Sequence, residues 1–374
     1  MTTPNLPQPI ERGPYTSAQN FVPARLTLAR EAKGLTMRQL AEGIETTASA
    51  VSQFENGKAR PSGKTILRLS LILGVPPTFF ARPEPLAIEP ERCHFRRRRA
   101  ATQAEQRTVL ARGELQLDLV NYLNCHITFL PERLRELSEG QRRDTSAEGL
   151  ERLADAVRAA WELGTGPIAD MVNVLERHGV MVIEVKGHTE RLDAFSTWVG
   201  DWPLVFSATE KESASRRRYD LAHELAHLLL HADAKPGDPE REREADMFAG
   251  ALLLPRHPFA EECPKRLVWP HLLELKRRWK VSLAALVHRA HDLGFFSTAT
   301  YRRAFVQMSR LGWRRAEPAE PEMEHPTLFR EALRMLAADG VAPGRIAADL
   351  GINPADIEQL IAGNSPGALS LFAS

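Results

Sequence analysis

The sequence predicts a predominantly helical α+β protein, and three observations support this fold class. Apolar residues recur at helical spacing along most of the 374-residue chain. Only two short segments, "GVMVIEVKG" (179–187) and "DWPLVFSATE" (201–210), have the β-branched and aromatic content of strands. Prolines concentrate in "FFARPEPLAIEPERCHF" (79–95), which predicts a linker between separate domains.

Composition and cysteine usage limit the class of protein. With 43% hydrophobic and 26% charged residues, the chain has enough apolar side chains for packed domains. No apolar run approaches the ~18 residues of a membrane span, and the N-terminal residues lack the apolar core of a secretory signal. Cys93, Cys125 and Cys263 are widely spaced, which argues against a disulfide framework or a cysteine zinc site. We therefore expect a cytoplasmic protein.

The charge is distributed unevenly along the chain. Residues 1–110 carry 16 Lys and Arg against nine Asp and Glu, a net charge of +7. The net charge of the whole chain is +1, so the remainder carries −6. A basic N-terminal part indicates a polyanionic partner at that end.

The first domain is expected to be all-helical and to span residues 21–81, after a flexible tail at 1–20. Thr36 is a suitable N-cap for one short helix and Thr47 for the next. The pair Asn56–Gly57 is typical of a helix C-terminus. A small core is predicted from Leu35, Leu40, Ile44, Val51, Phe54, Ile66, Leu69 and Leu73.

The segment "ARLTLAREAKGLTMRQLAEGIETTASAVSQFENGKARPSGKTILRLSLILGVP" (24–76) resembles the helix-turn-helix of XRE/Cro-type regulators. In such domains the recognition helix enters the major groove with its N-terminal end first, so the resemblance implies binding of double-stranded DNA. Gln53 can then read adenine edges, Ser49 can contact bases or phosphates, and Lys58 and Arg60 suit phosphates. The predicted DNA-contacting residues are Thr47, Ala48, Ser49, Ser52, Gln53, Lys58 and Arg60.

A helical protein-interaction module is the alternative for this first domain. Met37 stands where the family usually has a glutamine that touches the DNA backbone. The recognition helix contains the small Ala48 and Ala50 and no arginine, which favours weak base readout. The run "HFRRRR" (94–99) can add salt-dependent contacts to DNA phosphates. The alternative is that these arginines are only solvent-exposed residues of the linker.

After the first domain, the sequence predicts a linker and helical connector (82–146), a central α+β domain (147–258) and a helical C-terminal extension (259–374). Helices are expected at about 101–123, 147–163, 166–178, 215–232 and 239–254. The stretch 344–363 also has the residue pattern of two short helices joined by a turn, but acidic residues in its second helix would repel DNA phosphates. We expect that stretch to pack within the protein or contact a partner.

The stretch "YDLAHELAHLLLHADAK" (219–235) is a candidate metal site. His223 and His227 are four residues apart, so they project from one helical face about one turn apart. Glu224 lies beside the first histidine, where it can reach a water molecule without binding the metal. This HExxH arrangement is typical of zinc peptidases, in which the glutamate acts as general base. The alternative is an amphipathic helix whose histidines bind nothing.

A third ligand is expected in "EREREADMFAGALLLP" (240–255). A carboxylate at Glu242 completes a set of two histidines and one glutamate with an open position, the composition of a catalytic Zn²⁺ site. Asp246, one turn further, can accept the N–H of a ligand histidine and fix its tautomer. Glu240 and Glu244 compete for the ligand role, but Glu244 is rotated about 200° from Glu242 and should face elsewhere. A solvated acidic helix start is the alternative.

Two other residues near the HExxH motif are set aside as ligands. In the HExxHxxGxxH class the third ligand is a histidine, and Asp233 stands at that position here. His231 continues the four-residue spacing but is rotated away from the pair, so it is expected to act as a cation at the helix end.

The segments "RRRYDLAHELAHLLLH" (216–231) and "EREADMFAGALLLP" (242–255) resemble the ImmA/IrrE metallopeptidases. In that family HExxH is followed by a helix with the pattern E-x-x-A-[N/D]-x-F-A-x-x-L-L-x-P. The resemblance extends over about 166–318 and implies a minimal zincin fold with a small sheet.

Residue roles follow from the same resemblance. It implies metal binding by His223, His227 and Glu242, and catalysis by Glu224. The family is known for cutting repressor-type transcription factors, so the resemblance implies a substrate of that class.

Two expectations concern the surroundings of the metal site. Zincins pair an extended substrate with an edge strand, and we assign that role to Pro203–Ala208, with a plain internal strand as the alternative. Arg216, Arg217 and Arg218 precede the zinc helix, and at least two of them are expected to be surface charges.

Together these features predict a DNA-binding transcriptional regulator that carries a zinc-dependent endopeptidase domain. Its substrate is expected to be a repressor or partner regulator in a stress or mobile-element context. The alternative is a non-enzymatic transcription factor whose metal site is a sensor or a structural element. A homodimer is compatible with either, because such DNA-binding domains commonly bind paired half-sites.

Overall fold

The structure, a computed structural model of the chain, describes residues 14–93, 102–127, 134, 137, 144–185, 194–208, 213–231 and 238–362. It has the predicted α+β class, with many helices and one small sheet. Within these ranges, no helix combines the length and apolarity that crossing a membrane requires. The arginine run at 94–99, part of the connector at 82–146 and Asp233 lie outside the described residues.

The N-terminal helices are α1 (Pro14–Gln19), α2 (Pro23–Ala32), α3 (Met37–Gly43), α4 (Ala48–Glu55) and α5 (Gly63–Leu73). The two predicted caps are confirmed. The Thr36 side chain accepts a hydrogen bond from the Gln39 N–H in a capping box, and the Thr47 side chain accepts one from the Ala50 N–H. The helix-turn-helix pair is therefore α3 followed by α4, with α4 in the recognition position.

Two expectations about the edges of this domain are wrong. The tail is not flexible throughout, because α1 packs against α5 and fully buries Ser17. The proline-containing segment is not a free linker, since Phe79 and Phe80 are fully buried in the core. In both places, tertiary packing overrides a composition that is typical of loops.

The remaining elements follow in chain order. The helices before the sheet are α6 (Gln103–Asn124), α7 (Ala147–Ala160) and α8 (Met171–Arg177). The helices after it are α9 (Ala214–Leu230), α10 (Pro239–Leu253), α11 (Arg256–Glu262), α12 (Trp269–Trp279), α13 (Leu283–Asp292), α14 (Thr298–Arg310), α15 (Leu328–Ala338), α16 (Pro343–Leu350) and α17 (Pro354–Ala362).

The sheet has the order β1-β3-β2, with β1 (Met181–Val185) parallel to β3 (Trp202–Ala208) and β2 (Ala194–Val199) antiparallel to β3. The two predicted strands are present, but β2 is an additional strand. The edge-strand assignment is wrong: β3 pairs on both sides and is the central strand, while β2 lies at an edge.

Side chains on the two faces of this sheet enter different hydrophobic cores. Ile183 and Phe206 join the core formed with the N-terminal helices, α6 and the helices α15–α17. Val182 and Val205, on the opposite face, join the core that contains α7–α14. This division follows from the two-residue period of a strand. The sheet therefore lies between the N-terminal helices and the helices of the candidate metal site.

Helix α6 approaches the sheet closely. A Cβ at Gly113 would lie 2.6 Å from the Phe206 ring, so no larger residue fits without displacement. On the other side of α6, Asp118 pairs with both Arg25 and Arg82 in a buried cluster. These contacts fix the N-terminal domain against the body of the protein.

Helices α15–α17 return to the N-terminal domain. Asn353 donates a hydrogen bond to the carbonyl of Gly74, and Ile346 and Leu350 are buried in the same core as α6. The stretch 344–363 therefore packs within the protein over its described part.

Candidate metal centre

The centre is built by two packed helices, α9 and α10. Ser213 caps α9 by accepting a hydrogen bond from the Arg216 N–H, and Asp238 begins α10 by accepting one from the Glu240 N–H. The side chains of His223 and His227 are 0% and 1% exposed, and that of Glu242 is 28% exposed. The arrangement is a buried pair of imidazoles beneath a partly accessible carboxylate.

The structure brings His223, His227 and Glu242 together, and this triad can hold a metal ion. The two Nε2 atoms are 3.1 Å apart, and the carboxylate oxygens of Glu242 lie 3.4 Å and 3.5 Å from them. Tetrahedral zinc with bonds of about 2.0–2.1 Å separates its ligand atoms by about 3.3–3.4 Å. Oε2 of Glu242 is the oxygen near His223 and Oε1 is the one near His227, and each spacing is close to the tetrahedral value. The donor set therefore suits Zn²⁺.

The tautomer of His223 also suits metal binding. Its Nδ1 lies 2.9 Å from Oδ1 of Asp246, a carboxylate oxygen that only accepts hydrogen bonds. The proton of a neutral His223 therefore sits on Nδ1, and Nε2 keeps its lone pair on the side of His227 and Glu242. Asp246 therefore lies within hydrogen-bond distance of a predicted ligand, and its role in fixing the tautomer stays a prediction.

The charge state of Glu242 is set by competing effects. Burial disfavours its ionised form, but the adjacent side chains of His223 and His227 favour that form more strongly and hold the pKa of Glu242 far below its usual value. Burial lowers the pKa of His227, a shift that the adjacent Glu242 carboxylate only partly opposes. The centre therefore places an ionised carboxylate beside the two imidazoles, and carboxylates bind metals in that form.

His231 and Glu244 do not behave as expected. His231 is not a cation at the helix end: it is 5% exposed, and burial lowers its pKa to about 4. Its Nδ1 lies 3.0 Å from Nδ1 of His227, and its Nε2 lies 2.8 Å from Oε2 of Glu244. Glu244 faces away from the triad, as predicted, and its partner on that side is the buried His231. The competitor Glu240 is exposed and pairs with Arg243.

Glu224 lies on the same helix as the two histidines and is fully buried. The hydroxyl of Ser196, on β2, donates a 2.7 Å hydrogen bond to Oε2 of Glu224. The next residue of the strand, Thr197, is a hydrogen-bond partner of the Cys93 thiol. The edge strand thus contacts the predicted base on one side and the segment that follows the N-terminal domain on the other.

The arginines before the HExxH motif are buried, contrary to the expectation of surface charge. Arg217 is 3% exposed and pairs with Glu184 at 2.6 Å, while Arg218 is 1% exposed and pairs with Glu324. Arg216 is half-buried beside the carbonyls of Trp313 and Arg314. These arginines hold the segment between α14 and α15 against the start of α9.

An open cleft of about 1000 Å³ adjoins the centre at Asp246. It lies between α9, α10 and the helices α13 and α14. Its lining combines charged and apolar side chains, among them Tyr219, Met247, His288 and Phe305. The cleft meets the centre at Asp246, and its lining does not include the three ligand residues.

The residues predicted to contact DNA lie on one stretch of the N-terminal domain. Most of them are exposed, namely Thr47, Ala48, Ser49, Gln53, Lys58 and Arg60, whereas Ser52 is half-buried and accepts a hydrogen bond from Asn56. Arg60 donates to the carbonyl of Gln19. The N-terminal end of α4 is therefore free to approach a nucleic acid.

The geometry defines a candidate metal site in a chain that also has a helix-turn-helix, and two families match parts of the chain. Residues 175–291 match the peptidase M78 family, described as the IrrE N-terminal-like domain. Residues 26–80 match a family described as helix-turn-helix. No curated protein matches the chain. The chain thus combines an XRE-type helix-turn-helix with an ImmA/IrrE-type peptidase domain, as its sequence resemblances predict.

The sequence did not identify Ser196, His231 and Glu244 as parts of the centre. Ser196 lies on a strand whose letters, "AFSTWV", have no distinctive alternation. The four-residue spacing of His223, His227 and His231 was the available signal for the third histidine, since it places all three along one side of the helix.

Proposed function

We propose that the protein is a cytoplasmic DNA-binding transcriptional regulator and a zinc-dependent endopeptidase that cuts a repressor or partner regulator. The proposal rests on the triangle of ligand atoms from His223, His227 and Glu242. Glu224 lies on α9, the helix that carries the two histidines. The proposed units are the N-terminal domain at 21–81, the connector at 82–146, the peptidase domain at 147–258 and the extension at 259–374.

In this proposal the residues divide the work of peptide hydrolysis. A bound Zn²⁺ would polarise the scissile carbonyl and make water acidic enough to attack it near neutral pH. Glu224 accepts a proton from the attacking water and passes it to the leaving amine. Ser196 orients that carboxylate through its 2.7 Å hydrogen bond. Asp246 keeps Nε2 of His223 free of a proton.

The substrate is proposed to enter along the edge strand β2, where a peptide can add as a further strand. This replaces β3 in that role, because both sides of β3 are already paired. The cleft beside Asp246 would receive side chains of the bound segment.

The N-terminal domain would direct this activity to particular genes. Gln53 and Ser49 on the exposed side of α4 are proposed to contact bases, and Lys58 and Arg60 to contact phosphates. A homodimer would let two such helices bind paired half-sites. The stress or mobile-element context rests on the family resemblance.

Incubation of the purified, zinc-loaded protein with candidate repressors tests the enzymatic proposal. Glu224→Gln is the matched control, because it keeps the size of the side chain and removes its capacity to accept a proton. Cleavage by the wild type and its loss in Glu224→Gln is the expected result. Equal cleavage by both proteins would rule out the proposed role of Glu224.

A second function is supported by the complete burial of Glu224. In this alternative the protein is a non-enzymatic transcription factor, and the metal is a sensor or a structural element. Operator binding would then respond to chelation of the metal but would be unchanged in Glu224→Gln. No cleavage of any candidate, combined with these two results, favours the alternative.

Metal content separates both proposals from a helix that binds nothing. Elemental analysis of the wild type beside His223→Ala is expected to give about one zinc per chain and a near-complete loss, respectively. Equal zinc content in the two proteins would exclude the site.

A further inference from the structure

We infer that His231 and Glu244 form a relay that positions His227 for metal binding. This inference rests on the proposed metal centre. The relay runs from the Glu244 carboxylate on α10, through the His231 imidazole at the end of α9, to Nδ1 of His227.

The hydrogen-bond distances set the direction of the relay. Oε2 of Glu244, 2.8 Å from Nε2 of His231, only accepts, so that nitrogen carries the proton. When His231 carries this one proton only, its Nδ1 is an acceptor, and Nδ1 of His227, 3.0 Å away, donates to it. The proton of His227 is therefore held on Nδ1.

The consequence appears on the other side of the His227 ring. With its proton on Nδ1, His227 has a lone pair on Nε2, which lies 3.1 Å from Nε2 of His223 and 3.5 Å from Glu242. The opposite tautomer would direct an N–H into the triangle of ligand atoms. Metal-binding histidines generally donate their other ring N–H to a partner that fixes the tautomer in this way.

The two ligand histidines thus reach the same state by different routes. His223 donates directly to Asp246, whose side chain is 47% exposed. For His227, the carboxylate is reached through a second imidazole. Glu244 and Glu242 are two residues apart on α10. The bond from His231 to Glu244 therefore also fixes the rotation of α10 about its axis, which directs Glu242 toward the histidines.

Burial argues that this pair has a specific role. His231 and Glu244 are 5% and 8% exposed, and burying polar groups is unfavourable unless they are hydrogen-bonded. His231 is not a ligand itself, since the triad found among the described residues contains only His223, His227 and Glu242.

The test uses the full-length protein with Zn²⁺ alone as the probe. Zinc affinity is measured by competition with a chromophoric chelator in the wild type, His231→Leu and His231→Asn. The amide oxygen of asparagine lies where Nδ1 of histidine does, so His231→Asn keeps an acceptor for His227. His178→Leu, which removes a histidine outside the centre, is the control. Unfolding midpoints of the zinc-free proteins show that each variant folds.

The expected loss of zinc affinity in His231→Leu is about 10- to 100-fold, the usual effect of removing a partner of a ligand. His231→Asn should recover most of that loss, and His178→Leu should bind as the wild type. Long-range ¹H–¹⁵N spectra of the zinc-free wild type should show the His227 proton on Nδ1, and those of His231→Leu a mixture of tautomers.

The possible failures are distinguishable. Zinc affinity of His231→Leu equal to that of the wild type, or a His227 proton on Nε2 in the wild type, would overturn the relay. A folded wild type that binds no Zn²⁺ would instead overturn the proposed metal centre, and the tautomer measurement would still decide whether the relay exists.

Discussion

Oγ of Ser196, on the edge strand β2, lies 2.7 Å from Oε2 of Glu224, on the helix that carries the HExxH motif. Both side chains are fully buried. The strand that is proposed to bind the substrate is thereby joined to the proposed general base. A change in the position of β2 would therefore reach Glu224 through this hydrogen bond.

Ser196→Ala is expected to reduce the rate of repressor cleavage by about tenfold, because it removes a partner that orients the base. Zinc content should not change, since Ser196 does not contact the ligand triad. The measurements are a cleavage time course and elemental analysis. Thr197→Val is the control, because Thr197 bonds the Cys93 thiol instead of Glu224. A rate for Ser196→Ala equal to that of Thr197→Val would exclude the orienting role.

Lys58→Ala is expected to weaken binding to double-stranded DNA of any sequence. Loss of one phosphate contact should also reduce the slope of log affinity against log salt by about one. Fluorescence anisotropy with a labelled duplex at several salt concentrations measures both quantities. Arg302→Ala removes an exposed charge on α14, far along the chain, and should leave the slope unchanged. The same slope in both variants would remove Lys58 from the interface.

Glu176 is expected to make the stability of the protein depend on pH. Burial raises the pKa of Glu176 from 4.5 to about 7, although hydrogen bonds from the backbone N–H groups of Thr327 and Leu328 oppose the shift. The folded state then binds more protons than the unfolded state between these values. The stabilising contribution is therefore complete below pH 4.5 and is lost as the pH rises to about 7.

Glu176→Gln should flatten this dependence. Denaturant unfolding at several pH values is expected to show that the wild type loses about 1–3 kcal/mol more than the variant across this window. Glu148→Gln, at the start of α7, provides a control carboxylate. Parallel pH profiles for the wild type and Glu176→Gln would contradict this assignment.

The three cysteines should differ in reactivity. Cys125 is exposed, whereas Cys93 and Cys263 are buried, and burial raises the pKa of both buried thiols to about 12. Because the thiolate is the reactive form, a thiol reagent at pH 8 should modify Cys125 rapidly in the native protein. Mass spectrometry should find Cys93 and Cys263 modified only after denaturation. Rapid native modification of Cys93 would show that its contact with β2 opens readily.

Much of the site follows from local spacing in the sequence. The four-residue interval in HExxH places His223 and His227 on one helical face, and the motif of the next helix nominates Glu242. Helix caps are equally local, so Thr36 and Thr47 are recognisable from a few neighbouring residues. In each case the relevant interaction spans one or two turns of a helix.

Other features depend on residues that are distant along the chain. The place of β3 in the sheet depends on its pairing with β2, which the composition of β2 does not reveal. Arg217 and Arg218 appear as a surface charge run in the sequence, but their carboxylate partners are Glu184 and Glu324. The sequence alone therefore predicts a charged surface where the structure has a buried set of ion pairs.

The sequence by itself determined the two domain types, the helix that carries HExxH and the candidates for the three ligands, because regular helix geometry converts spacing into direction. Only the tertiary structure decided which strand lies at the sheet edge and which carboxylates pair with the buried arginines. It also decided that His231 contacts His227. The physical reason is that pairing and burial join segments far apart in the chain. His231 and Glu244, thirteen residues apart on two helices, meet only when those helices pack.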